Sequence, residues 1–199
     1  MTIYGIHNGE SVIAGFVAPM TVRSNQPTFT TDALSLKRSA FRRTAQRWEI
    51  QTNLVPLTHT ANQLFALFVG KGHTERFQVL MPQNVGVLHR RTAASNRGRC
   101  SGLVGADKVS VSQLSGHIPM GTFIRFSDHS KVYMTMKDFT NGNELRIYPG
   151  LRQKVTEATF KCNDDVMMEA IFDLDTVTGM VFVDGILMDN GQVKILEAL

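Results

Sequence analysis

The sequence predicts a mainly β protein with one α-helix: a β-sandwich built from the two ends of the chain, with a small β-barrel inserted between them. Three observations predict it. Apolar and polar residues alternate in most segments, as in half-buried strands. A single segment has helical spacing instead. Turn signals recur at short intervals between the alternating runs. The chain has 199 residues, enough for one large or two small domains with a sizeable core and no staples. With 43% hydrophobic and 19% charged residues it is not a disordered chain.

The elements follow in chain order. Trp48, Ile50, Thr52 and Leu54 alternate with Glu49, Gln51 and Asn53, which predicts a strand. Ala61, Leu64, Phe65, Phe68 and Val69 then fall on one face of about three helical turns, so a helix spans about 60–70. Thr60 is placed to cap its start, and Gly70 to supply a left-handed residue at its end. Phe77, Val79 and Met81 form the next strand. From His89 to Gly105 the chain is basic and rich in Gly and Ser, a linker or loop entry.

Short strands resume beyond it. Pro119–Gly121 and Ser127–Ser130 flank a strand at Thr122–Phe126. Val132, Met134 and Met136 alternate with Tyr133 and Thr135, and Leu145 and Ile147 repeat the pattern. Asn141-Gly142 between them is a strong hairpin signal, since both central residues tolerate positive φ. About five short strands with few helical signals suit a small barrel of the oligonucleotide/oligosaccharide-binding type. Val166, Met168, Ala170, Phe172 and Leu174 give the cleanest alternation of all, and Asp184-Gly185 and Asn190-Gly191 mark turns near the end. The domains read as 1–88 with 164–199, a discontinuous unit, and 89–163, the insert.

Several function classes drop out. The longest apolar run, Leu64 to Val69, is far short of a membrane span, and no secretory signal opens the chain. Cys100 and Cys162 read as reduced thiols of a cytosolic protein. The six histidines are scattered, and no metal, phosphate-loop or cofactor motif occurs, so no metal, no cofactor and no enzymatic activity is expected. Asp164-Asp165 and Asp173-Xaa-Asp175 are the nearest approach to a carboxylate cluster and read as solvated strand ends. Ser127-Asp128-His129-Ser130 holds the letters of a catalytic triad, but contiguous letters do not supply its geometry, and a polar turn is the better reading.

Charge is divided between the halves. Residues 1–100 carry 12 Lys+Arg against 4 Asp+Glu; residues 101–199 carry 9 against 13. The basic residues form two groups, Lys37, Arg38, Arg42, Arg43 and Arg47, and Arg90, Arg91, Arg97 and Arg99. A nucleic-acid surface would interleave such charge with exposed aromatics. Only Phe41 and Trp48 lie near the first group, and Trp48 is in phase with the buried side of its strand.

The order of elements, with Arg47-Trp48-Glu49-Ile50, Val79-Leu80-Met81-Pro82-Gln83, Ile118-Pro119-Met120-Gly121, Ser127-Asp128-His129-Ser130-Lys131-Val132-Tyr133 and Leu145-Arg146-Ile147-Tyr148-Pro149-Gly150-Leu151, resembles the distal tail proteins of long non-contractile-tailed bacteriophages. The likeness is to the subtype with an inserted oligonucleotide-binding-type barrel, and it runs from about Arg38 onward. It implies a virion tail protein, assembled in the host cytoplasm. Copies of the chain would form a ring, a hexamer, joining the tail tube protein to the baseplate hub or tail tip protein. The inserted barrel would project outward, within reach of host cell-wall carbohydrate. No catalytic residues come with the resemblance. A ring also gives the charge division a use, because head-to-tail neighbours bury two different surfaces. Arg42, Arg43 and Arg47 against Asp173 and Asp175 are the subunit-interface candidates. The alternative is a carbohydrate- or nucleic-acid-binding module whose barrel offers Phe123, Phe126, Tyr133 and Phe139 as its ligand face.

Overall fold

The computed structural model describes residues 5–9, 11–32, 38–42, 45–57, 59–71, 75–83, 98–114, 116–140, 142–162, 166–173, 175, 180–184, 186–189 and 191–199. The strands are β1 (Gly5–Asn8), β2 (Ser11–Asn25), β3 (Thr28–Asp32), β4 (Arg38–Arg42), β5 (Arg47–Pro56), β6 (Phe77–Leu80), β7 (Arg99–Gly102), β8 (Lys108–Ser112) and β9 (His117–Ile118). They continue as β10 (Phe123–Phe126), β11 (Val132–Thr135), β12 (Phe139–Thr140), β13 (Glu144–Tyr148), β14 (Val155–Lys161), β15 (Met167–Phe172), β16 (Val181–Val183), β17 (Ile186–Asp189) and β18 (Gln192–Glu197). One helix, α1 (Ala61–Ala66), runs on into a π-helical turn at Leu67–Lys71.

The fold is mainly β, with two closed six-stranded barrels. The first, in the order β1-β2-β5-β18-β15-β6, draws strands from both ends of the chain. The sandwich expected of these segments takes the form of a closed barrel, because β6 pairs with β1 (Val79 opposite Ile6) and joins the two layers edge to edge. The second, β10-β11-β13-β8-β7-β14, lies wholly within residues 99–161. The expected boundaries near 88 and 164 lie outside the described residues. So do Lys37, Arg43, Arg90, Arg91, Arg97, Asn141, Asp164, Asp165, Leu174, Gly185 and Asn190.

Each barrel has its own core. Ile6, Ile50, Leu54, Val79, Met168 and Ile195 fill the outer one; Ile124, Phe126, Tyr133, Leu145, Ile147 and Phe160 fill the inner one. Strand β15 shows why alternation is informative: Met168, Ala170 and Phe172 are buried, and their neighbours are only half-buried. Phe172 meets Phe77 at 4.5 Å and Phe68 at 5.3 Å between ring centroids.

The helix is shorter than its apolar spacing predicts. Thr60 does not cap it; its hydroxyl donates instead to the Ile13 carbonyl at 2.7 Å, tying the helix entry to β2. Gly70 is not left-handed, because the chain widens into the π-helical turn there. The buried side chains Leu64 and Phe68 still anchor this segment in the outer core.

Strand β11 adds to the sequence reading. Val132 and Met134 alternate with Tyr133 and Thr135 as the sequence reads, and it is Tyr133 and Thr135 that point into the inner barrel. Val132 belongs to the outer core, with Phe123, Met134 and Tyr148 packed against it. Both faces of this strand are covered, one by its own barrel and one by the other barrel.

Candidate functional site

The junction between the barrels holds a buried polar network. Lys131, at the entry to β11, is only 3% exposed, and Glu197, at the end of β18, is equally buried. The Lys131 ammonium donates to the Glu197 carboxylate and to the Gln46 side-chain carbonyl at 2.7 Å. Glu197 also accepts the backbone N–H of Val132 at 2.9 Å and of Trp48 at 3.0 Å. One carboxylate thus ties the first residue of β11 to the start of β5. Burial lowers the Lys131 pKa below its ordinary value; Glu197 opposes that shift and Arg152 adds to it.

Further bonds extend the junction. The Trp48 indole N–H donates to the Val132 carbonyl at 2.9 Å, and its ring meets Phe123 and Tyr148 edge-on, with centroids at 5.2 and 6.2 Å. Gln46 donates to Ser24 at 3.0 Å, and the Tyr148 hydroxyl bonds Ser24 at 2.9 Å and Gln26 at 3.0 Å. Gln83 brackets the Phe123 backbone, donating to its carbonyl at 3.1 Å and accepting its N–H at 3.2 Å. Arg125 of β10 reaches the Met167 carbonyl at 2.8 Å and Glu169 at 3.2 Å. The inner barrel is therefore held in one orientation by polar bonds whose directions fix it, with apolar packing beneath.

The predicted interface residues are placed differently from one another. Arg47 pairs with Glu49 of its own strand at 3.0 Å. Asp173 pairs with Lys194 at 3.0 Å, and Lys194 also approaches Glu49 at 3.6 Å. Arg47, Glu49, Lys194 and Asp173 thus form one intrachain row across β5, β18 and the end of β15. Asp175 is exposed, Arg42 lies on β4, and Arg43 lies outside the described residues. Burial raises the Glu49 pKa, but hydrogen bonds from Asn25 and Arg47 and the charge of Lys194 outweigh that and leave it below the ordinary value. A depressed carboxylate pKa adds stability above the unfolded value and loses it as pH falls through the folded one. A Glu49→Gln variant is therefore expected to be less stable at neutral pH and to lose less stability than wild type on acidification. Urea unfolding across the acid range checks this.

The proposed ligand face does not exist as a surface. Phe126, Tyr133 and Phe139 are buried in the inner barrel, and Phe123 is covered by Trp48. In short strands covered on both sides, aromatic rings fill cores. The Ser127–Ser130 turn is polar and serves packing: His129 bridges Asp128 at 2.7 Å and the Tyr133 hydroxyl at 2.8 Å, and that hydroxyl also accepts the Arg152 N–H at 3.1 Å. Burial is the main cause that pushes the Tyr133 pKa up to about 12.

Cys100 and Cys162 are buried in the inner core and form no disulfide. Burial pushes the Cys100 pKa up to about 12, with Asp128 and Cys162 adding to the rise. Both thiols are shielded by burial, and the reactive thiolate of Cys100 is disfavoured besides, so neither is expected to react with a disulfide reagent in the native protein, and both should react in denaturant. Counting released thiolate under both conditions checks this. Among the described residues no group of three or more His, Cys, Asp or Glu is placed to hold a metal, and no helix is long and apolar enough to cross a membrane.

Sequence reasoning missed the residues of the junction. Lys131 and Glu197 are 66 positions apart, and Lys131 and Gln46 are 85 apart, so no local pattern announces them. The one available signal was the two-sided apolar character of β10 and β11. No protein-family model matches the chain, and no curated protein matches it.

Proposed function

We propose that the chain is a structural subunit of the tail tip of a long non-contractile-tailed bacteriophage. Copies of it close head-to-tail into a ring, a hexamer, that joins the tail tube to the baseplate hub. The motifs resembling distal tail proteins suggest this reading, and the observation that carries it is a pair of dissimilar hairpins on the outer barrel. Hairpin β3–β4 is a separate two-stranded sheet; all five residues of β3 are exposed, Phe29 to 58%. Its sequence neighbourhood holds Lys37, Arg38, Arg42 and Arg43 against Asp32.

Hairpin β16–β17 is also a separate sheet and is apolar where the first is basic. Val181, Phe182, Val183 and Ile186 are each exposed by 47% or more. Phe182 meets Phe65 of α1 edge-on at 5.3 Å, and Val69, beyond the helix, is also exposed. Residues 175–189 contain Asp175, Asp184 and Asp189 and no Lys or Arg. Exposed apolar side chains in a segment whose only charges are acidic fit a partner that is basic and carries an exposed aromatic. The β3–β4 hairpin of a second copy has both features. Because the two surfaces differ, the contact is heterologous, and it closes into a ring when the rotation permits.

The combined variant Val183→Asp, Ile186→Asp is expected to weaken self-association about tenfold or more, while Tm stays close to wild type because both side chains are exposed and pair on the face away from buried Leu187. Arg42→Glu with Arg43→Glu is expected to act in the same direction. Arg47 is left unchanged, since it serves Glu49. Sedimentation velocity over a concentration series reads both. Self-association unaltered by either pair of changes would overturn the reading.

A further inference from the structure

We propose that the cleft between the two barrels is a binding site for a carboxylate group, held by Lys131 and Arg152. This inference does not depend on the ring reading. The cleft encloses about 270 Å³ and is lined by Gln46, Val104, Gly105, Lys131, Gly150 and Arg152, among others. Its floor is tightly built: a Cβ at Gly150 would lie 2.8 Å from the Gly105 carbonyl oxygen, so only glycine allows the two turns to meet there.

The chemistry of the lining is unbalanced. An ammonium has three N–H donors, and Lys131 uses two of them, on Gln46 and Glu197. Glu197 neutralises Lys131, and its two oxygens are occupied by Lys131, Trp48 and Val132. Arg152 is exposed, and among the described residues its guanidinium forms no ion pair or hydrogen bond; its backbone N–H alone bonds to Tyr133. It nevertheless acts on Lys131 as a second positive charge. Two cations against one carboxylate leave the cleft with a single uncompensated positive charge.

That count selects the ligand class. A monoanion balances it, whereas a phosphate dianion would leave the cleft with a net negative charge. A planar carboxylate matches the guanidinium fork with two parallel hydrogen bonds. The third Lys131 N–H is the remaining donor. Such a carboxylate could belong to a small free acid or to an acidic side chain of a neighbouring polypeptide.

The test is calorimetric titration of the whole protein with acetate and, separately, with a capped glutamate peptide, both at an ionic strength held constant with chloride. Saturable binding is expected in wild type, weakened about tenfold or more in Arg152→Gln. That substitution removes no hydrogen bond made by the side chain, and an unchanged Tm without ligand verifies that the fold is intact. Arg152→Lys, which keeps the charge and loses the fork, is expected to fall between them. Tighter binding of the peptide assigns a polypeptide source, and equal binding assigns a free acid. No saturable binding of either probe, equal binding by wild type and Arg152→Gln, or an equal response to inorganic phosphate would overturn the proposal.

Discussion

Replacing Glu197 with alanine is expected to destabilise the protein by about 3–5 kcal/mol, the cost of breaking a buried ion pair by removing one partner. The reason lies in what remains. Lys131 is 3% exposed and would be left beside Gln46 with no counter-charge. The backbone N–H groups of Trp48 and Val132 would lose their acceptor at the same time. Glu197→Gln does not rescue the site, because one amide oxygen cannot replace two carboxylate oxygens, and its NH₂ would face a donor. The double change Lys131→Met, Glu197→Gln is expected to cost less than the sum of the single changes, since no unpaired charge is left. Urea unfolding of the four proteins in the cycle reads this directly. Additive single costs below about 1 kcal/mol would mean that the pair is as weakly coupled as an exposed one.

The second large effect is expected at Trp48. Trp48→Ala should cost about 3–5 kcal/mol, since the indole fills the space between the barrels and the cavity left cannot collapse. Trp48→Phe keeps a ring against Phe123 and Tyr148 but leaves the Val132 carbonyl without its donor. It should cost about 1–3 kcal/mol, the penalty of an orphaned buried acceptor. Trp48 is the only tryptophan of the chain, so its emission reports on the junction alone. A red shift that precedes the loss of β-sheet signal during denaturation would show the barrels parting before they unfold. The bonds through Glu197 predict instead that both signals move together.

The strands were legible where one face of a sheet is buried and the other is not. Met168, Ala170 and Phe172 of β15, and Ile50, Thr52 and Leu54 of β5, obey that rule and were read correctly. Legibility failed on β10 and β11, which are covered on both sides. Periodicity there identifies a strand and cannot say which face meets which core. Three of the aromatics offered as a ligand face, Phe123, Phe126 and Tyr133, lie on these two strands, and the fourth, Phe139, is buried on β12. The junction lay beyond local pattern altogether: a lysine and a glutamate on distant strands look like ordinary surface charges until the topology joins them. Arg47 and Asp173 show the reverse case. They belong to opposite sides of the charge division, yet each finds a partner within its own chain.

The central claim is that this chain assembles head-to-tail through two unlike hairpins. The most direct test is the mass and symmetry of the purified protein at high concentration, by native mass spectrometry with particle imaging. A closed ring of cyclic symmetry with more than two copies, six by this account, is the predicted result. A monomer, or a dimer related by a two-fold axis, would contradict it.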